Sequence, residues 1–121
     1  MIASVLVYKY EVDKLHYAIP THKSTDDSIE FKESWRDEYL KWICGFSNAQ
    51  GGMLYIGIKD NGEVCGVQDA KKLMEDIPNK VRDMLGILVE VNLKEKDDKQ
   101  YLEIATEAYP YPISFRGKYY Q

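Results

Sequence analysis

The residue types able to do metal or nucleophilic chemistry are few in this chain: His16, His22, Cys44 and Cys65. No pair of them has the close spacing of a metal site. Cys44 falls between Ile43 and Gly45 in a stretch that reads as helix, so it is expected to be a small buried hydrophobe and not half of a Cys–His pair. No Gly-x-Ser-x-Gly elbow occurs. Glycine is the next candidate, since Ala49-Gln50-Gly51-Gly52 with Gly57 has the composition of a phosphate-cradling loop. That chemistry needs a strand leading into a helix, with Lys-Ser or Lys-Thr at the loop's end. Here the glycines follow a helix and precede a strand, and no such pair follows. The arrangement argues against ATP or NAD, and a helix C-terminal cap accounts for Gly51 and Gly52. Tyrosine is the last candidate: there are ten, with Tyr109, Tyr111, Tyr119 and Tyr120 crowded near the end. Such rings can stack nucleobases, but a sheet surface with hydroxyls in water accounts for them as well.

The elements that would position these residues can be read from periodicity. Residues 4–11 and 15–19 read as two strands around a turn, and 21–28 as a polar linker. Residues 29–32 alternate as a short strand with Ile29 and Phe31 inward. A helix is expected from Ser34 as N-cap, with Asp37 completing a capping box. Its apolar stripe is Trp35, Tyr39, Trp42, Ile43 and Phe46, and it ends at Gln50-Gly51-Gly52. The apolar run 53–58 has the mark of a strand buried on both faces. Asp60-Asn61-Gly62 predicts a hairpin turn, with a return strand over 63–67. A second helix from about Asp69 carries Leu73, Met74, Ile77, Val81, Met84 and Leu85, with a kink or break expected at Pro78. Residues 87–94 read as a half-buried strand and 100–106 as its antiparallel partner, with Leu102 and Ile104 inward and a charged turn over 95–99. A small hairpin turning at Arg116-Gly117 follows. The class is α+β: a mixed β-sheet with two main helices packed on one face and β-hairpins between them.

A chain of 121 residues, 45% hydrophobic and 30% charged, makes one domain with a real core and is no disordered chain or coiled coil. No run of apolar residues is long enough for a transmembrane helix. The start of the chain lacks the basic n-region of a signal peptide. With only two cysteines the simplest setting is a reducing cytoplasm. The net charge of −4, from 20 acids and 16 bases, means that any nucleic-acid binding must come from a local patch and not from bulk attraction.

Four segments in order then stand out: Ile29-Glu30-Phe31-Lys32-Glu33-Ser34; Phe46-Ser47-Asn48-Ala49-Gln50-Gly51-Gly52; Leu54-Tyr55-Ile56-Gly57-Ile58-Lys59-Asp60-Asn61-Gly62 running on to Val64-Cys65-Gly66-Val67; and Pro112-Ile113-Ser114-Phe115-Arg116-Gly117. Together they resemble the Schlafen-type Alba-like DNA-binding domain, the N-terminal module of bacterial transcriptional regulators. The resemblance covers about residues 28–120. It divides the chain into an extension and linker, 1–27, and the domain proper, 28–121, and suggests a domain cut from a longer protein.

The resemblance implies a nucleic-acid-binding accessory domain, DNA before RNA, non-enzymatic by itself. Its candidate contacts are Lys32, Arg36, Lys41, Lys59, Arg116 and Lys118, while Gly51, Gly52, Asn61 and Gly62 serve turns. Some Schlafen relatives cleave RNA with clustered carboxylates and a divalent ion. Carried over by position, the acids would be Glu30 and Asp60, holding Mg²⁺ or Mn²⁺. The further acid of the nucleases falls at Thr25, with Asp26 and Asp27 offset from it. Under the binding reading no cofactor or metal is expected. A third reading, a protein-interaction or dimerisation module (a homo-oligomer included), follows from the acidic balance and the tyrosine-rich end.

Overall fold

The computed structural model describes residues 28–121, and the strand–turn–strand reading of 4–19 lies outside the described residues. The order is β1 (Ile29–Lys32), a 3-10 turn (Asp37–Tyr39), α1 (Leu40–Ser47), β2 (Gly52–Ile56), α2 (Ala70–Leu85), β3 (Glu90–Lys96), β4 (Lys99–Thr106), β5 (Ser114–Phe115) and β6 (Lys118–Tyr119). The main sheet has the order β1-β2-β4-β3, and β5-β6 form a separate ribbon. β1 runs parallel to β2, and the other neighbours are antiparallel. Two helices and a mixed four-stranded sheet make the expected α+β fold. No described helix is long and apolar enough to cross a membrane.

Alternation along the strands gives the sheet two different faces. Leu54, Ile56, Val91, Leu93, Leu102 and Ile104 meet Ile43, Phe46, Met74, Ile77, Val81 and Leu85 of the helices in the main core. On the opposite face Phe31, Tyr55, Ile58, Val64 and Tyr101 form a second cluster. Asn92, Lys94 and Glu103 are buried as well. Tyr55 Oη donates to Glu103 Oε2 at 3.1 Å and Asn92 Nδ2 donates to Glu103 Oε1 at 3.2 Å. The strand read as half-buried over 87–94 is thus covered on both faces. It starts later than expected, at Glu90, with Ile87 and Val89 buried ahead of the ladder.

Other expectations need correction. Ser34 caps no helix: α1 is preceded by a 3-10 turn whose N-cap, Arg36, is extended and makes no side-chain capping bond. Asp37 is drawn elsewhere, accepting from Trp35 Nε1 at 2.8 Å and from Lys80 Nζ at 3.1 Å. Ile43 and Phe46 of the apolar stripe are buried, along with Leu40 and Cys44, while Trp35, Tyr39 and Trp42 pack partly buried against the core. The return strand over 63–67 is reduced to a single bridge, Ile58 to Val64. Gly57, at φ 104°, breaks the ladder: its carbonyl takes the N–H of both Cys65 and Gly66, and Val67 N–H turns away to Gln100 O. α2 runs through Pro78 without interruption, with Pro78 itself buried, and Met84 lies on the exposed side.

The two adjacent glycines are required for different reasons. Gly51 has φ 88° and a Cβ there would lie 2.6 Å from Thr106 O, so the left-handed turn and the close approach both demand glycine. Gly52 opens β2, and its missing Cβ would stand 2.6 Å from the Phe46 ring and 2.7 Å from Ser28 O. Gly51 is the reversal after the helix, as expected, whereas Gly52 is a packing glycine and no cap.

Candidate nucleic-acid interface

The four sequence segments are brought together by backbone and amide bonds. Lys32 O at the end of β1 accepts from Gly57 N at 2.7 Å and Ile58 N at 3.2 Å, tying the first segment to the third. Asn48 ties the second to the fourth. Its Nδ2 donates to Ile113 O and to Tyr120 O, each at 2.7 Å, and its Oδ1 accepts from Ile113 N at 2.7 Å. The side-chain amide thus imitates a strand's donor and acceptor and holds both ends of the β5-β6 ribbon on α1. Cys44 Sγ adds a bond to Ile113 O at 3.2 Å. Burial, first of all, pushes the Cys44 thiol above its ordinary value, which leaves little of the thiolate a nucleophile needs.

That ribbon sets the place of the basic residues. Arg116 and Gly117 turn it with φ 52° and 79°, the two positive values of a type I′ turn. Arg116 projects at the tip, its guanidinium 4.7 Å from the Phe115 ring centroid. Lys80 of α2 reaches Asp37 at 3.1 Å. The Asp37 carboxyl is held below the ordinary aspartate range, first by the Trp35 hydrogen bond, then by that from Lys80, with Arg116 adding its field. The Asp37 carboxylate thus pairs with the ammonium of α2 and feels the field of the ribbon's guanidinium, next in sequence to exposed Arg36. Lys80 and Asp37 were not among the sequence candidates. Nothing local identifies their pairing, because the two lie 43 residues apart in the chain.

The remaining candidates divide. Lys32 Nζ is 3.2 Å from Glu30 Oε2 and lies over the rings of Tyr39 and Trp42, at 4.8 and 5.4 Å from their centroids. Glu30 and Lys32 are in register with Leu54 and Ile56, so both point to the helix side, and the Glu30 side chain is only 5% exposed. Lys59 pairs loosely with Glu63 at 3.8 Å. Asp60 is exposed in the turn beyond β2, where Asn61 Oδ1 accepts from Glu63 N at 2.9 Å and Gly62 has φ 89°. Lys41 and Lys118 are exposed. Among the described residues no group of three or more His, Cys, Asp or Glu stands close enough to hold a metal ion.

The Asp37 cluster carries a pH signature. A carboxyl depressed in the folded state contributes stability above the ordinary aspartate range and loses it as pH falls through the folded value. Asp37→Asn should therefore unfold with a flatter acid limb than the parent, with the two curves converging at the most acid pH. Both residues of the Lys80 pair are well exposed, so the effect is small. Urea midpoints from neutral pH down to strongly acid pH measure it.

Comparison with known proteins places this geometry. A family model described as "Schlafen, AlbA_2" matches residues 26–121. No curated protein matches the chain. Among solved structures, the chain is similar to the N-terminal domain of an ATP-dependent DNA helicase RecG-related protein from Nitrosomonas europaea, with 21% identity and TM-score 0.63, over 78% of this chain and 74% of that one. It is also similar to the DIP2311 protein from Corynebacterium diphtheriae, with 19% identity and TM-score 0.62, over 81% of this chain. In that case the chain spans only 21% of the longer protein. At these identities the likeness is one of fold. The matched segment takes in all the strands and helices described above, and the chain belongs to the Schlafen AlbA_2 family.

Proposed function

We propose that this domain binds nucleic acid, DNA in preference to RNA, as the non-enzymatic accessory part of a transcriptional regulator. The observation that carries the reading is the surface pair of Lys80 with Asp37, whose carboxyl also feels the field of Arg116. In a chain of net charge −4, binding must rest on such a local group. The Lys80–Asp37 pair is a surface pair, with side chains 39% and 52% exposed, and pairs of that kind contribute little. Lys80 can exchange its carboxylate for a phosphate at small cost, and Arg116, at a ribbon tip, can reach along a backbone. The family and its likeness to the N-terminal domain of a helicase-related protein support the same reading.

Fluorescence anisotropy with duplex DNA, single-stranded DNA and tRNA at two salt concentrations tests it. Binding that weakens steeply as salt rises is expected. Absent or salt-insensitive binding would count against it and in favour of a protein-interaction module. Glu30 is engaged with Lys32, and tRNA incubated with Mn²⁺ is expected to stay intact. Cleavage abolished by both Glu30→Gln and Asp60→Asn would make the domain a ribonuclease instead.

A further inference from the structure

The main sheet buries both of its faces, but the helices account for only one. On the far side a row of side chains crosses all four strands. Phe31 stands beside Tyr55, Tyr55 beside Glu103, and Glu103 beside Asn92. Along that row the exposures are 1%, 5%, 7% and 7%. Tyr101 and Lys94 form a neighbouring pair, 1% and 5% exposed. The apolar cluster on this side takes no residue from either helix or from the β5-β6 ribbon. Ile58 and Val64, bridged to one another beyond the end of β2, are its members from outside the strands. Among the described residues, the elements packed most closely on β3 and β4 are their ladder neighbours and the two helices. The helices meet Val91, Leu93, Leu102 and Ile104, on the near side. A sheet face open to water would leave Glu103 and Asn92 exposed, and a surface lysine keeps its ammonium end wet. The burial of Asn92, Lys94 and Glu103 therefore needs a second layer over the far face.

That layer comes from the same chain, because these are the exposures of a single molecule. What the chain has left to supply it is the stretch 1–27. It enters the sheet at Ile29, the first residue of β1, and β1 is an edge strand. The reach is sufficient: four strands are about 14 Å across, and the stretch 12–27 can span about 50 Å when extended. Composition selects the part that covers. Ser4-Val5-Leu6-Val7-Tyr8-Lys9-Tyr10-Glu11 is the longest strand-like stretch there. Alternation sets Leu6, Tyr8 and Tyr10 on one side of it and the charged Lys9 and Glu11 on the other. We propose that residues 4–11 lie across the far face, with Leu6, Tyr8 and Tyr10 against Phe31, Tyr55 and Tyr101. The amino-terminal stretch is then a structural layer of the domain and closes that face to other partners. A second copy of the chain could cover the same face, but one molecule already buries it. The proposal does not depend on the nucleic-acid reading.

Nuclear Overhauser contacts in the full chain test it, with isotope-labelled and unlabelled chains mixed so that contacts within and between molecules separate. Contacts are expected from the Leu6 methyls and the Tyr8 and Tyr10 rings to the rings of Phe31, Tyr55 and Tyr101, all within one molecule. Tyr8→Asp should abolish them, while Tyr8→Phe should keep them, since the ring and not its hydroxyl does the covering. Contacts that persist unchanged in Tyr8→Asp would overturn the proposed register. The same contacts found between molecules would assign the cover to a second copy and overturn the proposal. So would contacts to the far face from residues 12–27 alone, or none from any residue before Ser28.

Discussion

Replacing Phe46 by alanine is expected to destabilise the domain by about 3–5 kcal/mol, the range for losing a buried phenylalanine. The ring is nearly inaccessible and belongs to the main core between α1 and the sheet. It packs at 43° against Trp42, with centroids 6.5 Å apart, and roofs the backbone at Gly52. The loss should show as a lower urea midpoint with an unchanged slope. The partner glycine makes the claim sharper. Gly52→Ala alone would press its Cβ into the Phe46 ring, so its cost should be smaller in the Phe46→Ala background than in the parent. It should not vanish, because Ser28 O stands 2.7 Å from the same position and backbone does not move aside as a side chain does. Strict additivity in this cycle would mean that the ring does not occupy the space above Gly52.

Asn48→Ala should cost about 2–4 kcal/mol, from three hydrogen bonds of ordinary net strength. The lost bonds are those to Ile113 N, Ile113 O and Tyr120 O, and the fourth sequence segment would then be held mainly by apolar contact. Asn48→Asp is expected to be worse. It keeps the acceptor for Ile113 N but turns a carboxylate toward two carbonyl oxygens that need donors. Hydrogen exchange gives the location: amides of the β5-β6 ribbon should exchange faster in both variants, while those of β3 and β4 change far less. Uniform acceleration across the sheet would mean that Asn48 supports the whole core and not the ribbon.

The contrast between these residues explains how much was legible in the sequence. Phe46 was readable because a helix repeats its buried face at fixed spacing. The same holds for Leu102 and Ile104 in β4, which are buried where alternation puts them. The turn at Arg116-Gly117 was readable from glycine. Asn48 sat inside a motif but gave no local sign of its role, since its partners lie |i−j| = 65 and 72 away. The start of α1 was misread for a related reason. Asp37 has the local chemistry of a capping residue, and a tertiary partner, Lys80, with |i−j| = 43, accompanies its bond to Trp35 instead. The return strand over 63–67 failed because Gly57 and Gly66 take positive φ, 104° and 83°. Alternation cannot report a bulge of this kind. Of the site candidates, Arg116 sits at the tip of the ribbon, over the Phe115 ring. Lys32 was drawn into a pair with Glu30 on the helix side.

The nucleic-acid reading stands or falls on whether the residues around Asp37 meet phosphates. The most direct measurement is the salt dependence of DNA affinity for the parent chain, Lys80→Ala and Arg116→Ala, read as the slope of log K against log salt. Each removed phosphate contact should make the slope shallower by about 1 and weaken binding similarly across sequences. Slopes identical to the parent's in both variants would contradict the account and move the binding surface away from this cluster.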